Sequence, residues 1–100
     1  MNEFILIGTL TQAFPMEETS SGISVVNFLV KCDKPFKSSG ISYDEFKVTA
    51  FKNVAEDFQS FARIGQTLSI RGRLQANNYS KEEKTYYSPE LLAERINVVK

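Results

Sequence analysis

The chain has no histidine and no tryptophan, a single cysteine, and no surplus of charge of either sign. Each gap closes off some chemistry. Without imidazole there is no side chain that titrates unaided near neutral pH and no His ligand for a metal. One thiol, Cys32, makes neither an internal disulfide framework nor a zinc site. It shares a strand face with Val26, Phe28 and Val30 and reads as a buried small hydrophobe. A phosphate-cradling Gly-rich loop and a Gly-x-Ser-x-Gly turn are both missing. Glu17-Glu18, Asp44-Glu45 and Glu82-Glu83 are adjacent carboxylates on loops or strands, where neighbouring side chains diverge, so they read as solvated charge. The expectation is a non-enzymatic protein with no catalytic residues, no metal and no cofactor. No apolar run approaches the roughly 18 residues of a membrane span. The N-terminus lacks the basic flank and cleavage site of a signal peptide, so a cytoplasmic location is expected. Twelve Lys+Arg against twelve Asp+Glu give zero formal net charge, so composition does not advertise a polyanionic partner. Any positive groove must come from arrangement.

What is present is enough for one small domain spanning residues 1–100, with 42% hydrophobic residues to form its core. Glu3–Thr11 reads as a strand that is apolar on both sides, Phe4, Leu6 and Leu10 on one and Ile5 and Ile7 on the other. Both faces are expected to be covered, one of them by another subunit. Gly8 inside this strand suggests a bulge or sharp coil. Residues 14–22 read as a loop, Ile23–Cys32 and Tyr43–Phe51 as the second and third strands, with Ser38-Ser39-Gly40 at the tip of a long connection. The spacing of Val54, Phe58, Phe61 and Ala62 predicts one helix over Val54–Ile64, capped by Asn53 with Glu56 in capping-box position and stopped by Gly65. A fourth strand, a charged hairpin tip at Ser80–Lys84 and a closing strand over Glu90–Lys100 follow. Three strands, a helix, then two strands is the order of an all-β OB-fold, a five-stranded antiparallel Greek-key barrel with its helix between the third and fourth strands.

The stretch Gly65–Tyr79, GQTLSIRGRLQANNY, carries the strongest functional signal. Period-two alternation puts Leu68, Ile70, Leu74 and Ala76 on a core face. It puts Ser69, Arg71, Arg73, Gln75, Asn77 and Tyr79 on the other. Arginines running into an aromatic suit a flexible polyanion with flat bases: charge for phosphates, a ring for stacking. Lys34-Pro35-Phe36-Lys37 makes the same offer at a strand end. The nucleic-acid-binding candidates are Lys34, Phe36, Lys37, Lys47, Phe51, Lys52, Arg71, Arg73, Tyr79, Lys81 and Tyr86, with Lys84 beside them. Each lysine taken singly reads as a solvated surface charge. Arg71, mid-strand, reads equally well as a subunit contact. Phe51 abuts the helix start, where covering the barrel end competes with stacking. Phe4, Phe14, Phe28, Phe58 and Phe61 read as core or interface.

Several of these segments together resemble one family. MNEFILIGTLT, Thr19-Ser20-Ser21-Gly22, Val26-Asn27-Phe28, Lys34-Pro35-Phe36-Lys37, Phe51-Lys52-Asn53-Val54-Ala55-Glu56, Ile64-Gly65-Gln66, Gly72-Arg73-Leu74-Gln75 with Tyr79, and ELLAERINVV recur in order and at the spacing of the bacterial single-stranded DNA-binding proteins. Each motif is weak alone; their shared register is specific. The resemblance implies sequence-tolerant binding of single-stranded DNA in replication, recombination and repair, stacking roles for Phe36, Phe51 and Tyr79, and a homotetramer. It also implies a disordered linker with an acidic tip that recruits replication and repair enzymes; whether one continues past Lys100 is left open. This chain departs from the family pattern at Glu45, where the family often has an aromatic. It departs again at Gln75, Asn77 and Asn78 in place of basic residues, and at Glu17-Glu18 in place of an Arg and an aromatic. The departures imply weaker or more compact binding. They keep two alternatives in view: an OB protein-interaction module, and a phage- or plasmid-encoded accessory replication protein with reduced DNA affinity.

Overall fold

The computed structural model describes residues 1–35, 40 and 42–100. The elements are β1 (Phe4–Ala13), β2 (Glu17–Glu18), β3 (Ser24–Asp33), β4 (Tyr43–Phe51), α1 (Lys52–Phe61), β5 (Thr67–Ala76), β6 (Tyr79–Lys81), β7 (Lys84–Tyr86) and β8 (Pro89–Val98). Strands β1, β5, β8, β4 and β3 hydrogen-bond in that order, and β3 pairs back onto β1, so the sheet closes into a five-stranded barrel. Two-residue β2, inside the expected loop, hangs on the edge of β3. The β1–β3, β1–β5, β3–β4 and β5–β8 pairings are antiparallel. The last seam, β4 to β8, is parallel and holds two registered pairs, Val48↔Leu91 and Thr49↔Leu92.

Alternation explains the core. Val26, Phe28 and Val30 of β3, Val48 and Ala50 of β4, and Leu68 and Ile70 of β5 are buried to within a percent or so. Burying each of these side chains apart from Ala50 contributes about 1.5–3 kcal/mol. Helix α1 seals one end of the barrel. Its buried Ala55 and Phe58 point inward, and the Phe58 ring stacks on Phe28 with centroids 4.3 Å apart. Phe61 meets Phe58 edge-on at 6.1 Å.

Several expectations are corrected here. The helix starts earlier and ends earlier than Val54–Ile64. Phe51, in extended conformation, occupies the N-cap position without a side-chain cap bond, so Asn53 is already helical and caps nothing. Lys52 makes the bend from strand to helix in the left-handed region, at φ 56°. The helix ends at Ala62, also extended; Gly65, at φ 96°, sits instead in the turn Arg63–Gln66. That turn is docked on β1 by Gly65 N–H to Leu10 C=O and Leu10 N–H to Gln66 C=O, both 2.8 Å. Gly8 makes no bulge: β1 stays in register with β5 through it, and the slip against β3 falls near Thr11. Gly8 is there because a Cβ would sit 2.4 Å from the Lys31 carbonyl oxygen. Ile5 and Ile7, on the face expected to meet another subunit, are 68% and 59% exposed in the single chain, which leaves that expectation as it was. Phe14 is exposed rather than core, and Cys32 is half-buried, its Sγ–H donating to the Ile7 carbonyl at 3.4 Å. Leu74 and Ala76 are exposed and not core: β1 pairs with β5 only as far as Phe4↔Gly72, and both lie past that point.

Candidate nucleic-acid interface

The hairpin β6–β7 stands apart from the barrel as a sheet of its own. Its turn is Glu82-Glu83, both left-handed (φ 53° and 64°), the backbone of a type I′ turn whose twist matches the flanking strands. Tyr79 opposes Tyr86 and Lys81 opposes Lys84, so the four side chains share one face. The two rings stack, centroids 5.1 Å apart and planes 16° from parallel. The Lys84 ammonium lies 5.6 Å from the Tyr86 ring centre. Both rings are exposed, Tyr79 at 57% and Tyr86 at 39%. The result is a two-ring stack with cations beside it, on a projecting finger.

A second surface is the outer face of β3 and β4. The register Val25↔Phe51, Asn27↔Thr49, Leu29↔Lys47, Lys31↔Glu45 and Asp33↔Tyr43 lines these residues along it. Phe51 is 37% exposed and lies on the same side as Lys47. Lys31 places its ammonium 5.1 Å from the Tyr43 ring centre. Tyr43 and Lys31 are members of this face that the sequence reading passed over, although Tyr43 lies at even spacing from Lys47 and Phe51 and period two marks it. Tyr87, 78% exposed on the other side of the hairpin return, is a further exposed ring. Glu45 stays on the outer face because β3 and β4 run without a register slip. Its Oε2 accepts from the Thr11 hydroxyl at 2.8 Å.

The remaining candidates fall elsewhere. Phe36 and Lys37 lie outside the described residues. Lys34 stands at the neck of that connection, where its Nζ pairs with Asp44 Oδ1 at 2.7 Å and its N–H bonds to the Ser42 carbonyl. Lys52 is exposed at the strand–helix bend. Arg71 pairs with Glu3 on the β1–β5–β8 wall, opposite Ile5 and Arg95, and Arg73 donates to Gln75 Oε1 at 2.9 Å. The alternation linking these arginines to Tyr79 breaks at Asn77-Asn78, where the chain leaves β5. Asn77 N–H bonds to the Ser88 carbonyl, and Asn78 Oδ1 accepts from Ser88 N–H. The arginines and the hairpin rings are therefore not one strand face. Among the described residues no group of three or more His, Cys, Asp or Glu is placed to hold a metal ion. Among the described residues no helix is long and apolar enough to cross a membrane.

A closed barrel with an end-plugging helix, carrying a hairpin with two exposed rings and two lysines, defines an OB-fold module. The family model described as "Single-strand binding protein family" matches residues 1–99, and the chain belongs to that family. It is 30% identical over 99 residues to single-stranded DNA-binding protein 1 of Staphylococcus aureus strain Mu50, covering 96% of this chain and 64% of that protein. It is 29% identical to single-stranded DNA-binding protein 3 of Listeria innocua, covering 96% and 62% respectively. The chain thus spans a little under two thirds of the length of these relatives. Among solved structures, the wild-type single-stranded DNA-binding protein from Thermus aquaticus superposes with a TM-score of 0.81 at 24% identity, over all of this chain and 50% of that one. That likeness establishes the OB-fold.

Proposed function

We propose that the protein binds single-stranded DNA with little sequence preference, without catalysis, and so protects and organises exposed strands in replication, recombination and repair. One observation carries the reading: the Tyr79–Tyr86 stack with Lys81 and Lys84 on the same hairpin face. Every base has a ring face, so stacking there tolerates any sequence and contributes about 1–3 kcal/mol per base. Lysines beside it neutralise phosphates and release counterions. Lys47 and Phe51 on β4 extend the track. The names of the relatives support the same ligand. A cytoplasmic, nucleoid-associated location follows from such a role.

The chain assembles, on this reading, into a homo-oligomer, with a tetramer as the expected form. Ile5 and Ile7, side by side and exposed on β1, supply an apolar patch for subunit contact. Replication and repair proteins are partners if the full-length protein carries a C-terminal tail.

The test uses tyrosine fluorescence, since there is no tryptophan to mask it. Titration with oligo-dT quenches the signal, and the quenching weakens in salt with a log–log slope near −0.7 per phosphate neutralised. Carboxylates on β4, Asp44 and Glu45, favour a second reading as an OB module that binds a protein. No quenching and no gel shift at low salt selects that reading instead.

A further inference from the structure

Beyond the parallel seam, β8 has a free edge. Its last registered pair with β4 is Thr49↔Leu92; β4 ends soon after at Phe51, and the chain turns into α1 at Lys52. From Ala93 to Val98, β8 keeps β5 on one side, and among the described residues no strand pairs with it on the other. Alternate residues there direct their backbone groups away from β5, where they lack a ladder partner. Between this edge and α1 runs a groove of about 270 Å³. On the strand side it is lined by four successive residues, Glu94, Arg95, Ile96 and Asn97. A strand face shows only every second residue, so a groove lined by an unbroken run lies against the strand's edge. On the helix side it is lined by Val54, Asp57 and Phe61, whose i, i+3, i+7 spacing is that of one helix face.

The chemistry of the lining selects the occupant. Val54, Phe61 and Ile96 are half-buried and supply an apolar floor. Asp57 and Glu94 are exposed, and among the described residues neither carboxylate has an ion-pair partner. Arg95, in register with Arg71 on the outer wall, is the one cation of the lining. Two free carboxylates repel a phosphate backbone. A long basic side chain suits them, because its methylenes can lie on the floor while its head reaches an acceptor. We propose that the free edge of β8 and α1 together form a docking groove for an extended segment of a partner protein, one that carries arginine or lysine between small apolar residues. The segment adds to β8 as a further strand: main-chain hydrogen bonds supply affinity, and the groove selects the basic side chain. From Pro89, at the hairpin base, to Ile96 the strand covers about 23 Å at roughly 3.3 Å per residue, so the groove is clear of the stacked tyrosines. Docking there does not depend on DNA binding.

The probe is a short labelled peptide of alternating valine and arginine, followed by fluorescence anisotropy beside an equal-length peptide of alternating valine and glutamate. The arginine peptide is expected to bind saturably and the glutamate peptide not to bind. Asp57→Lys combined with Glu94→Lys, both at exposed positions, should weaken the arginine peptide roughly tenfold or more by setting like charges face to face. The milder pair Asp57→Asn with Glu94→Gln should shift it in the same direction by less, with the melting temperature unchanged. Deuterium exchange then locates the contact: alternate amides within Ala93–Val98 should slow when the peptide is added. No binding of the arginine peptide, an affinity that both double variants leave unchanged, or binding without slowed exchange on this edge overturns the proposal. A solution mass that falls in the lysine variant would put a second copy of this chain in the groove, and overturns the proposed partner. Failure of oligo-dT to bind the unaltered protein overturns the DNA reading and leaves this groove as it is.

Discussion

Tyr79 and Tyr86 each lend one ring face to the other, so between them they offer two open faces and not four. A base stacks on the end of the pair, and removing either tyrosine also frees its neighbour to tilt. Tyr79→Ala and Tyr86→Ala are each expected to cost about 1–3 kcal/mol of binding to oligo-dT. The double variant should lose clearly less than the sum, because contacting residues are not independent. Titrating the three variants beside the unaltered protein checks this. Cys32 makes a residue-scale prediction of the opposite kind. Burial, then the nearby Asp44 and Asp33 charges, push its thiol above the ordinary range. The thiolate is the reactive form, so alkylation near neutral pH should run well below the rate of a free thiol. A folded-state pKa raised in this way also means that stability is full at neutral pH and declines as pH climbs through the alkaline range. Fast labelling of the folded protein contradicts this placement.

At the scale of elements, crowding decides more than propensity. β8 slips by one residue against β5 between Arg71 and Gly72, and the Leu92 backbone then lies so close that a Cβ at position 72 would be 1.8 Å from the Leu92 carbonyl oxygen. Gly72→Ala must therefore move backbone, with an expected loss of about 3 kcal/mol or more. At about 4–8 °C per kcal/mol for a domain of this size, thermal melting should show it plainly. The hairpin tip can be improved instead. Glu82 and Glu83 hold adjacent like charges in left-handed conformations that L-residues resist. Replacing them with Asn-Gly should tighten the hairpin by about 1 kcal/mol, seen as slower proteolytic nicking between residues 79 and 86. Strands and helix differ in how legible they are. β4 can be read from the sequence to the residue, because alternation and flanking breakers agree at both ends. The helix start cannot, because tertiary context put Lys52 into a left-handed bend and left Asn53 no cap to make. Gly8 and Gly72 announce themselves as special, but what crowds each one belongs to another strand.

For the molecule as a whole, zero formal charge makes placement of the lysines the only route to a polyanion. Two of the candidate cations sit beside carboxylates that the sequence does not show as neighbours, Lys34 beside Asp44 and Arg71 beside Glu3. That is why the candidate site was only partly legible: a side chain's type can be read from the sequence, but not whether a partner from a remote segment has claimed it. That Tyr79 and Lys81 share a hairpin face is legible because a hairpin needs only local register, and that Lys47 and Phe51 share a strand face follows from their parity. The apolar strip of Ile5 and Ile7 sets the assembly prediction. Ile7→Asp should lower the solution mass measured by light scattering while leaving the melting profile of the subunit largely intact, since Ile7 is 59% exposed in the single chain. An unchanged mass would locate the subunit contact elsewhere.

The parallel seam has a dynamic consequence. Most of the barrel's circumference is stitched by long ladders, but β4 and β8 are joined by two registered pairs. This is the place where the wall should breathe first: of the Leu91 and Leu92 amides, the one that points at β4 should trade its proton for a deuteron sooner than its neighbour in the β5–β8 ladder, and sooner than those of Val26 or Phe28. Deuterium uptake that is uniform around the barrel would show the two-pair seam to be as firmly closed as the long ladders.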